Sequence, residues 1–502
     1  MGEQLVIRGV PARLEKDAWW FIDADEGGAA SGGATPPLDG TRLPPKALAA
    51  LALMIALADQ VFWDRDLGVS VALYALALAA GMVALKPGGV TGREAALAIA
   101  FMAACVAPVI EIVQPLSLMF CAAGLAALLI WVVLGTSPKA SQALTTVVDA
   151  VVIQPFAFPL DVASDLRRAG TDVDFPAVFR ATALPVGIGV LFLILFAVAN
   201  PLIEQSIGRL AAIAPLSPEH LTRPFFWIVA ACLVWPLLHF QARLGAGDHV
   251  PPSFTLPSTG LINPASVRTS LILFNVMFAL QTASDIGVLT GGVTLPEGMT
   301  YAGYAHRGAY PLLVTALLSG VFAMATHRMV AGNTVLRTLM YLWLGQTLFL
   351  VVTAAVRLGL YVEAYSLTHL RVAAFIWMAL IFVGLVLIIV QMVQDRPFSW
   401  LLKANLITLT GTLYLCCFIN FSYLITDYNM ANAAPDALDL AYLCGLGEQV
   451  IPAMMDYGQI TDQTACGRGN YPAIRFEPIE HWQEWGFRRW RLQRYLEAYH
   501  DL

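Results

Sequence analysis

The sequence predicts an all-α, polytopic integral membrane protein with about eleven transmembrane helices and a small helical C-terminal tail. Three observations carry that prediction. Only 13% of the 502 residues are charged while 58% are hydrophobic, against roughly a quarter charged in soluble domains. Apolar runs recur along the chain at about the 20 residues a helix needs to cross a bilayer core. Those runs are continuous and do not alternate at every second residue, which argues against a membrane barrel. Mean hydropathy is +0.68. Lipid offers the backbone no hydrogen-bond partner, so the apolar runs are expected to be helices.

In order, the expected spans are 44–63, 67–85, 94–112, 115–135, 182–203, 224–242, 267–290, 309–327, 337–356, 371–393 and 401–424. The third carries Glu94 and Glu111 at its ends and is interrupted by Pro108. The fourth starts at Pro115, a favourable first-turn residue, so the two form a tight hairpin. Residues 1–43 include "DADEGGAASGGATPPLDG" and cannot support a core, so they are expected to be a flexible cytoplasmic arm. The transmembrane domain covers 44–424. Its loop 136–181 contains "LTTVVDAVVIQPFAFPLDVASDL", broken by Asp149, Pro155 and Pro159, and reads as an interfacial segment. Residues 425–502 form the helical tail, ending in "EHWQEWGFRRWRLQRYLEAYH". That amphipathic helix either lies on the leaflet beneath it or packs its aromatic rings on the protein's own loops, and the second is the favoured expectation.

Orientation follows the Lys and Arg of the short loops. Seventeen fall on the side of the N-terminal arm, against six (Arg65, Arg209, Arg223, Arg307, Arg357, Arg371) on the other. The N-terminus is therefore expected in the cytoplasm and, with an odd span count, the tail outside. Five of the seven cysteines lie within spans; Cys444 and Cys466 stand alone together in the tail and read as a disulfide of an exported segment.

Three external segments share an unusual vocabulary of Tyr, Arg, His and acid. "TYAGYAHRGAYP" contributes Tyr301, Tyr304, His306, Arg307 and Tyr310. "RLGLYVEAYSLTHLR" contributes Arg357, Tyr361, Glu363, Tyr365, Thr368, His369 and Arg371. "NFSYLITDYN" contributes Asn420, Tyr423, Asp427, Tyr428 and Asn429. Asp285 joins them from the outer end of its span, with Gln281 and Ser284 on the same helical face. An intramembrane carboxylate costs about 2.5–3.5 kcal/mol at mid-span and normally has a partner. Arg307 and His306 are its nearest candidates in sequence. Together these segments are expected to form one polar, aromatic external surface; the alternative is that each residue ties loops together at headgroup level.

These stretches resemble a family of bacterial multi-pass membrane proteins known as a domain of unknown function, number 4173, related to number 4153. The resemblance covers most of the chain from about residue 45 and rests on "TYAGYAHRGAYPL", the Tyr361 to Arg371 pattern and "NFSYLITDYN". The family's usual form has Gly where this chain has Ser366, which argues against a special backbone turn there. The resemblance implies a bacterial inner membrane and the same span architecture, and it implies no activity.

No HExxH, GxSxG, P-loop or histidine pair at metal-ligand spacing occurs, and no metal or cofactor is expected. The first expectation is binding of an envelope lipid, glycan or partner through the external aromatic site, in a sensing or assembly role. A membrane enzyme acting on a lipid-linked or headgroup substrate, with His306 as acid or base, is the second. Transport is third, since most ionisable residues sit at span ends. Expected partners are the bilayer and, at "AWWFIDADE" of the N-terminal arm, a cytoplasmic protein, with no nucleic acid.

Overall fold

The computed structural model describes residues 44–136, 138–156, 158–159, 218–240, 263–289, 314–326, 329–330, 332–433, 438–457, 466–467, 472–474 and 476–500. Every regular element among them is helical. A first group consists of α1 (Pro45–Phe62), α2 (Val69–Ala84), α3 (Gly92–Glu111) and α4 (Pro115–Leu134). Local chemistry sets their ends. The Thr91 hydroxyl accepts from the Glu94 N–H while the Glu94 carboxylate accepts from the Thr91 N–H, a capping box that opens α3. Pro115 occupies the first turn of α4, where its missing N–H costs nothing. The Ser117 hydroxyl donates to the Ile112 carbonyl at 2.7 Å and closes the α3–α4 hairpin.

Helix α5 (Ala140–Val148) runs into a π-turn at Asp149–Ile153. It exposes Leu144, Val148, Val151, Val152 and Phe156 and buries Thr146, Asp149 and Gln154. Helix α6 (Pro218–Leu238) packs on α1 and α2. Its Arg223 and Trp227 both donate to the Asp59 carboxylate near the end of α1.

The second group comprises α7 (Pro264–Leu289), α8 (Val314–Thr326), α9 (Thr334–Tyr365), α10 (His369–Gln394), α11 (Phe398–Cys416) and α12 (Phe421–Asn432). Their shared core is built on Leu271, Met340, Leu344, Leu385 and Leu401. Amide chemistry stitches α7 to α9: Asn275 Nδ2 donates to the Leu271 carbonyl at 2.7 Å and to the Leu339 carbonyl at 3.0 Å.

The two groups meet where α11 lies against α4, and a proline explains part of the contact. Pro108 sits inside α3 and has no N–H for the carbonyl of Ala104 one turn back. The Tyr414 hydroxyl of α11 donates to that carbonyl instead, at 2.8 Å, while its ring stands edge-on to Phe120. So α3 continues through Pro108 to Glu111. Tyr414→Phe is expected to destabilise the protein by about 1–3 kcal/mol, the cost of leaving the Ala104 carbonyl without a donor on an apolar helix face. The midpoint of thermal unfolding in detergent measures it, and an unchanged midpoint would mean water or lipid serves Ala104 equally well.

Among the described residues, six helices are long and apolar enough to cross a bilayer, or seven if the bent α11–α12 pair is one span; α2, residues 222–238 of α6, and α8 are shorter apolar helices of 10–17 residues. The protein is membrane-embedded, but eleven full-length spans are not reached among the described residues. The stretch 182–203 lies outside them. Two span ends also move. Span nine does not stop at 356: α9 stays helical to Tyr365 because nothing in "RLGLYVEAY" breaks it. Span eleven does not run to 424: the helix ends at Cys416, and Asn420 starts a new one by accepting from the Tyr423 N–H at 3.1 Å. The axis turns by 70° at that break, so "NFSYLITDYN" is a helix that crosses the expected 424/425 boundary.

The tail holds α13 (Leu440–Gly445), a 3-10 turn at Glu448–Val450, α14 (Ile451–Asp456), a second 3-10 turn at Trp482–Glu484, and α15 (Phe487–His500). A disulfide joins Cys444 to Cys466, with Cα atoms 5.6 Å apart. Both cysteines are buried with Leu443, Val450 and Met454 against Val362, Leu367 and Ile425 of the helix ends. The tail touches Gly68 and Val69, Glu111, His369, Cys417 and Asn420. The turns after α1, α3, α9 and α11 therefore share one end of the bundle with it, hereafter the tail-bearing end.

Candidate functional site

Asp285 lies near the end of α7 with no exposed surface, and its partner is Arg357 of α9, which is 2% exposed. Thr353 Oγ1 donates to the same carboxylate at 3.0 Å and Gln281 Nε2 at 2.6 Å. Ser284, on the adjoining face, is exposed. The pair is thus an interhelical lock within α7 and α9 rather than part of an exposed loop. A lone acid in an apolar span signals that a cation must be near; its identity depends on how two helices 72 residues apart in sequence are aligned. His306 and Arg307, with Tyr301, Tyr304 and Tyr310, lie outside the described residues.

The "RLGLYVEAYSLTHLR" residues build a corner between α9 and α10. Tyr361 and Tyr365 are one turn apart, and their rings pack at 4.8 Å. Arg371, in the first turn of α10, stacks over Tyr361 at 4.5 Å and donates to the carbonyls of Tyr365 and Ser366. Thr368 is the N-cap residue of α10, and its carbonyl accepts from Arg371 and Val372. Asn429 of α12 clamps the turn from the far side: its Nδ2 donates to the Leu367 carbonyl at 2.9 Å, and its Oδ1 accepts from the Leu367 N–H at 2.6 Å. The Tyr442 hydroxyl accepts from the His369 N–H at 2.9 Å. Tyr361, Tyr365, Thr368, Arg371 and Asn429 hold architecture together.

The turn does need a special backbone, contrary to the expectation drawn from Ser366. That residue has φ 67° and ψ 167°, a region populated almost only by glycine. Holding a serine there costs of order 1–3 kcal/mol. Ser366→Gly is accordingly expected to stabilise the protein by about 1 kcal/mol, seen as a raised unfolding midpoint; a lowered midpoint would show that the serine side chain contributes more than the strain it causes.

Glu363 and Tyr428 belong to a different construction. Between the α9–α10 corner and the bent α11–α12 pair lies an open cleft of about 560 Å³, lined chiefly by apolar side chains such as Val362, Phe375, Leu415 and Phe421. Glu363 and Tyr428 are among its few polar residues. The cleft lies at the bend after Cys416, with Leu415, Ile419 and Phe421 on either side of the break among its lining residues. Beside it, Asp427 accepts a hydrogen bond from Tyr457; desolvation first, then the Asp427 charge and that bond, raise the Tyr457 hydroxyl above its ordinary value. Burial likewise raises the Glu448 carboxyl, with the Arg489 charge and a hydrogen bond from Gln449 acting against it. The 357–371 and 420–429 segments therefore do meet, through Asn429 and this cleft, while Asp285 serves a separate lock on α9.

Sequence reasoning missed a second buried ion cluster. Glu111, treated as a span end, is 7% exposed; Arg488 Nε donates to it at 3.0 Å and Arg491 Nη2 at 2.8 Å. Arg488 Nη2 also donates to the Cys417 carbonyl at 3.1 Å. A carboxylate at the end of an apolar span and an Arg-rich terminal helix were both visible, but nothing local pairs them across 377 residues.

No curated protein and no solved structure gives a significant match to this chain. A family model does: Domain of unknown function (DUF4153) matches residues 46–457, leaving 458–502, α15 among them, beyond the match. The matched domain is number 4153, one of the two related families that the motifs resemble. The chain belongs to the DUF4153 family of uncharacterised proteins.

Proposed function

We propose that this protein binds an amphipathic envelope lipid, or a lipid-linked glycan, at the cleft between the α9–α10 corner and α12. The observation that carries this reading is the cleft itself: an apolar slot of about 560 Å³ beside the 70° break after Cys416, lined also by an acid and a tyrosine. Such sites bury apolar ligand surface and use a few polar groups for selection. Glu363 is exposed and makes no ion pair among the described residues, so its carboxylate favours a headgroup carrying an amine. The binding event would serve sensing or assembly in the envelope.

The tail-bearing end is the periplasmic end of a bacterial inner-membrane protein in this proposal, with the N-terminal arm in the cytoplasm. The Lys and Arg bias of the loops and the Cys444–Cys466 disulfide, which needs an oxidising compartment, support that direction. A membrane-impermeant thiol reagent should label Cys444 and Cys466 only after reduction, in cells with a permeabilised outer membrane. Labelling that requires breaking the inner membrane would reverse the orientation.

The binding test uses full-length protein in nanodiscs containing phosphatidylethanolamine with a photoreactive diazirine acyl chain. Labelled peptides should concentrate in 359–376 and 412–428 over other lipid-facing segments. A Cβ at Gly359 meets nothing within 4 Å, so Gly359→Leu should occupy the cleft without displacing its walls and remove the enrichment. Even labelling along all spans, unaltered by Gly359→Leu, would sink the proposal.

A further inference from the structure

The strap that precedes α15 is bound to the bundle at the very ends of its helices. The Val69 N–H, the first of α2, donates to the Trp485 carbonyl at 2.6 Å. Gln483 Nε2 donates to the Gln60 carbonyl near the end of α1 at 3.4 Å. Gly68 admits this approach because it has no side chain: a Cβ there would stand 2.4 Å from the Glu484 carbonyl carbon. Arg488 and Arg491 then reach Glu111, the last residue of α3, and Arg488 also reaches the carbonyl just past the end of α11. Four helix termini thus hold residues 483–491 at the depth where the apolar helices stop.

At that depth the strap leaves large aromatic rings uncovered. Arg488 and Leu492 face the bundle and are buried, whereas Trp482 is 56% exposed, Phe487 39% and Trp490 40%. Phe487 and Trp490 lie one turn apart and stack at 5.8 Å, with the Arg491 guanidinium 4.8 Å over Phe487. Leu67, beside the strap's anchor at Gly68, is 52% exposed as well. From 487 to 500 the helix carries four arginines and one glutamate, and Arg494, one turn beyond Trp490, has its side chain 68% exposed, with the half-exposed Glu497 carboxylate 3.4 Å away.

We propose that Trp482, Phe487 and Trp490 insert into the headgroup–acyl boundary of the leaflet at the tail-bearing end, with Arg494 on lipid phosphate. The occupant is the phospholipid surface, on two grounds. The uncovered face is continuous in depth with the ends of α1, α2, α3 and α11, where a bilayer boundary must lie. Its chemistry, indole and phenyl rings beside arginine, complements that layer, since amphipathic rings concentrate at the headgroup level and basic side chains meet anionic phosphates. The sequence reading favoured aromatic rings packed on the protein itself; the strap does both, docking through its arginine and leucine face and offering its aromatic face outward. This holds whether or not the α9–α12 cleft binds a ligand.

The test reads tryptophan fluorescence of full-length protein in nanodiscs made with phosphatidylcholine brominated at the 6,7 or the 11,12 acyl positions. The signal that wild type has and Trp482→Phe/Trp490→Phe lacks should be quenched at least twofold more by the 6,7 lipid than by the 11,12 lipid. It should also be shielded from aqueous acrylamide. Full quenching by acrylamide with none from brominated lipid would put these rings in water and overturn the proposal. Protection from both quenchers would mean a protein covers them, which overturns it equally. Should the double variant not fold, wild-type protein with a phospholipid carrying a diazirine near the glycerol decides: adducts within 482–490 support insertion, and their absence while other span ends are labelled refutes it.

Discussion

Replacing Glu111 by alanine is expected to release the C-terminal strap from the bundle. Two guanidinium groups converge on one carboxylate that is 7% exposed, and Arg488 is 6% exposed itself. Removing the acid leaves Arg488 buried beside the Cys417 carbonyl with its charge uncompensated, and breaking a buried pair in this way costs about 3–5 kcal/mol. The strap is a terminal segment, so the loss should appear as local opening before global unfolding. Amide exchange of residues 485–495, and of Val69, whose N–H donates to the Trp485 carbonyl, should accelerate by about a hundredfold or more, at tenfold per 1.4 kcal/mol. Glu111→Leu combined with Arg488→Met should lose less than either single change, because no charge is then stranded. Unchanged exchange in Glu111→Ala would mean that Gly68, Val69 and Gln60 hold the strap without help from the ion pair.

A comparable loss is expected from Asp285→Ala, but it should be global. Asp285 has no exposed surface, and Arg357, Thr353 and Gln281 all direct hydrogen-bond donors at it. Alanine would strand Arg357 between two apolar helices, at a cost of about 3–5 kcal/mol. Since α7 and α9 share the core around Met340 and Leu344, the whole second group should melt earlier. The midpoint of thermal unfolding in detergent is the measurement. Asp285→Asn should fall between wild type and alanine, because it keeps an acceptor for Thr353 and Arg357 but no charge. If alanine and asparagine leave the midpoint alone, the pair is not the lock between α7 and α9, and the carboxylate would instead call for a functional explanation of its place in the membrane.

How far the site could be read from the chain varied by residue. The Tyr361–Arg371 and Asn420–Asn429 stretches stand out in composition, and in the structure they meet through Asn429 and Leu367. Their vocabulary nevertheless does not separate a ligand site from a corner. Arg371 stacked on Tyr361 uses the same chemistry a sugar- or phosphate-binding pocket would use, and only its two carbonyl partners identify it as a strut. Glu363, from the same stretch, is distinguished by geometry alone: it is exposed and lines the cleft. Ser366 was misread for a related reason, since identity at one position carries no φ.

What the sequence by itself determined is the solvent and the local grammar. Continuous apolar runs make helices for a bilayer because unsatisfied backbone is too costly in lipid. Capping residues such as Thr91, and the prolines at the starts of α1 and α4, place their ends within a few residues. These effects act over one or two turns and are legible one segment at a time. Tertiary structure alone decided which charges are partners, because Asp285 with Arg357 and Glu111 with Arg488 depend on helix alignment over 72 and 377 residues. It also decided that α11 breaks and turns beside the cleft, and that Tyr414 serves the carbonyl Pro108 leaves free. Pairwise electrostatics and packing across the bundle have no periodicity in the chain, so they become visible only once the helices are assembled.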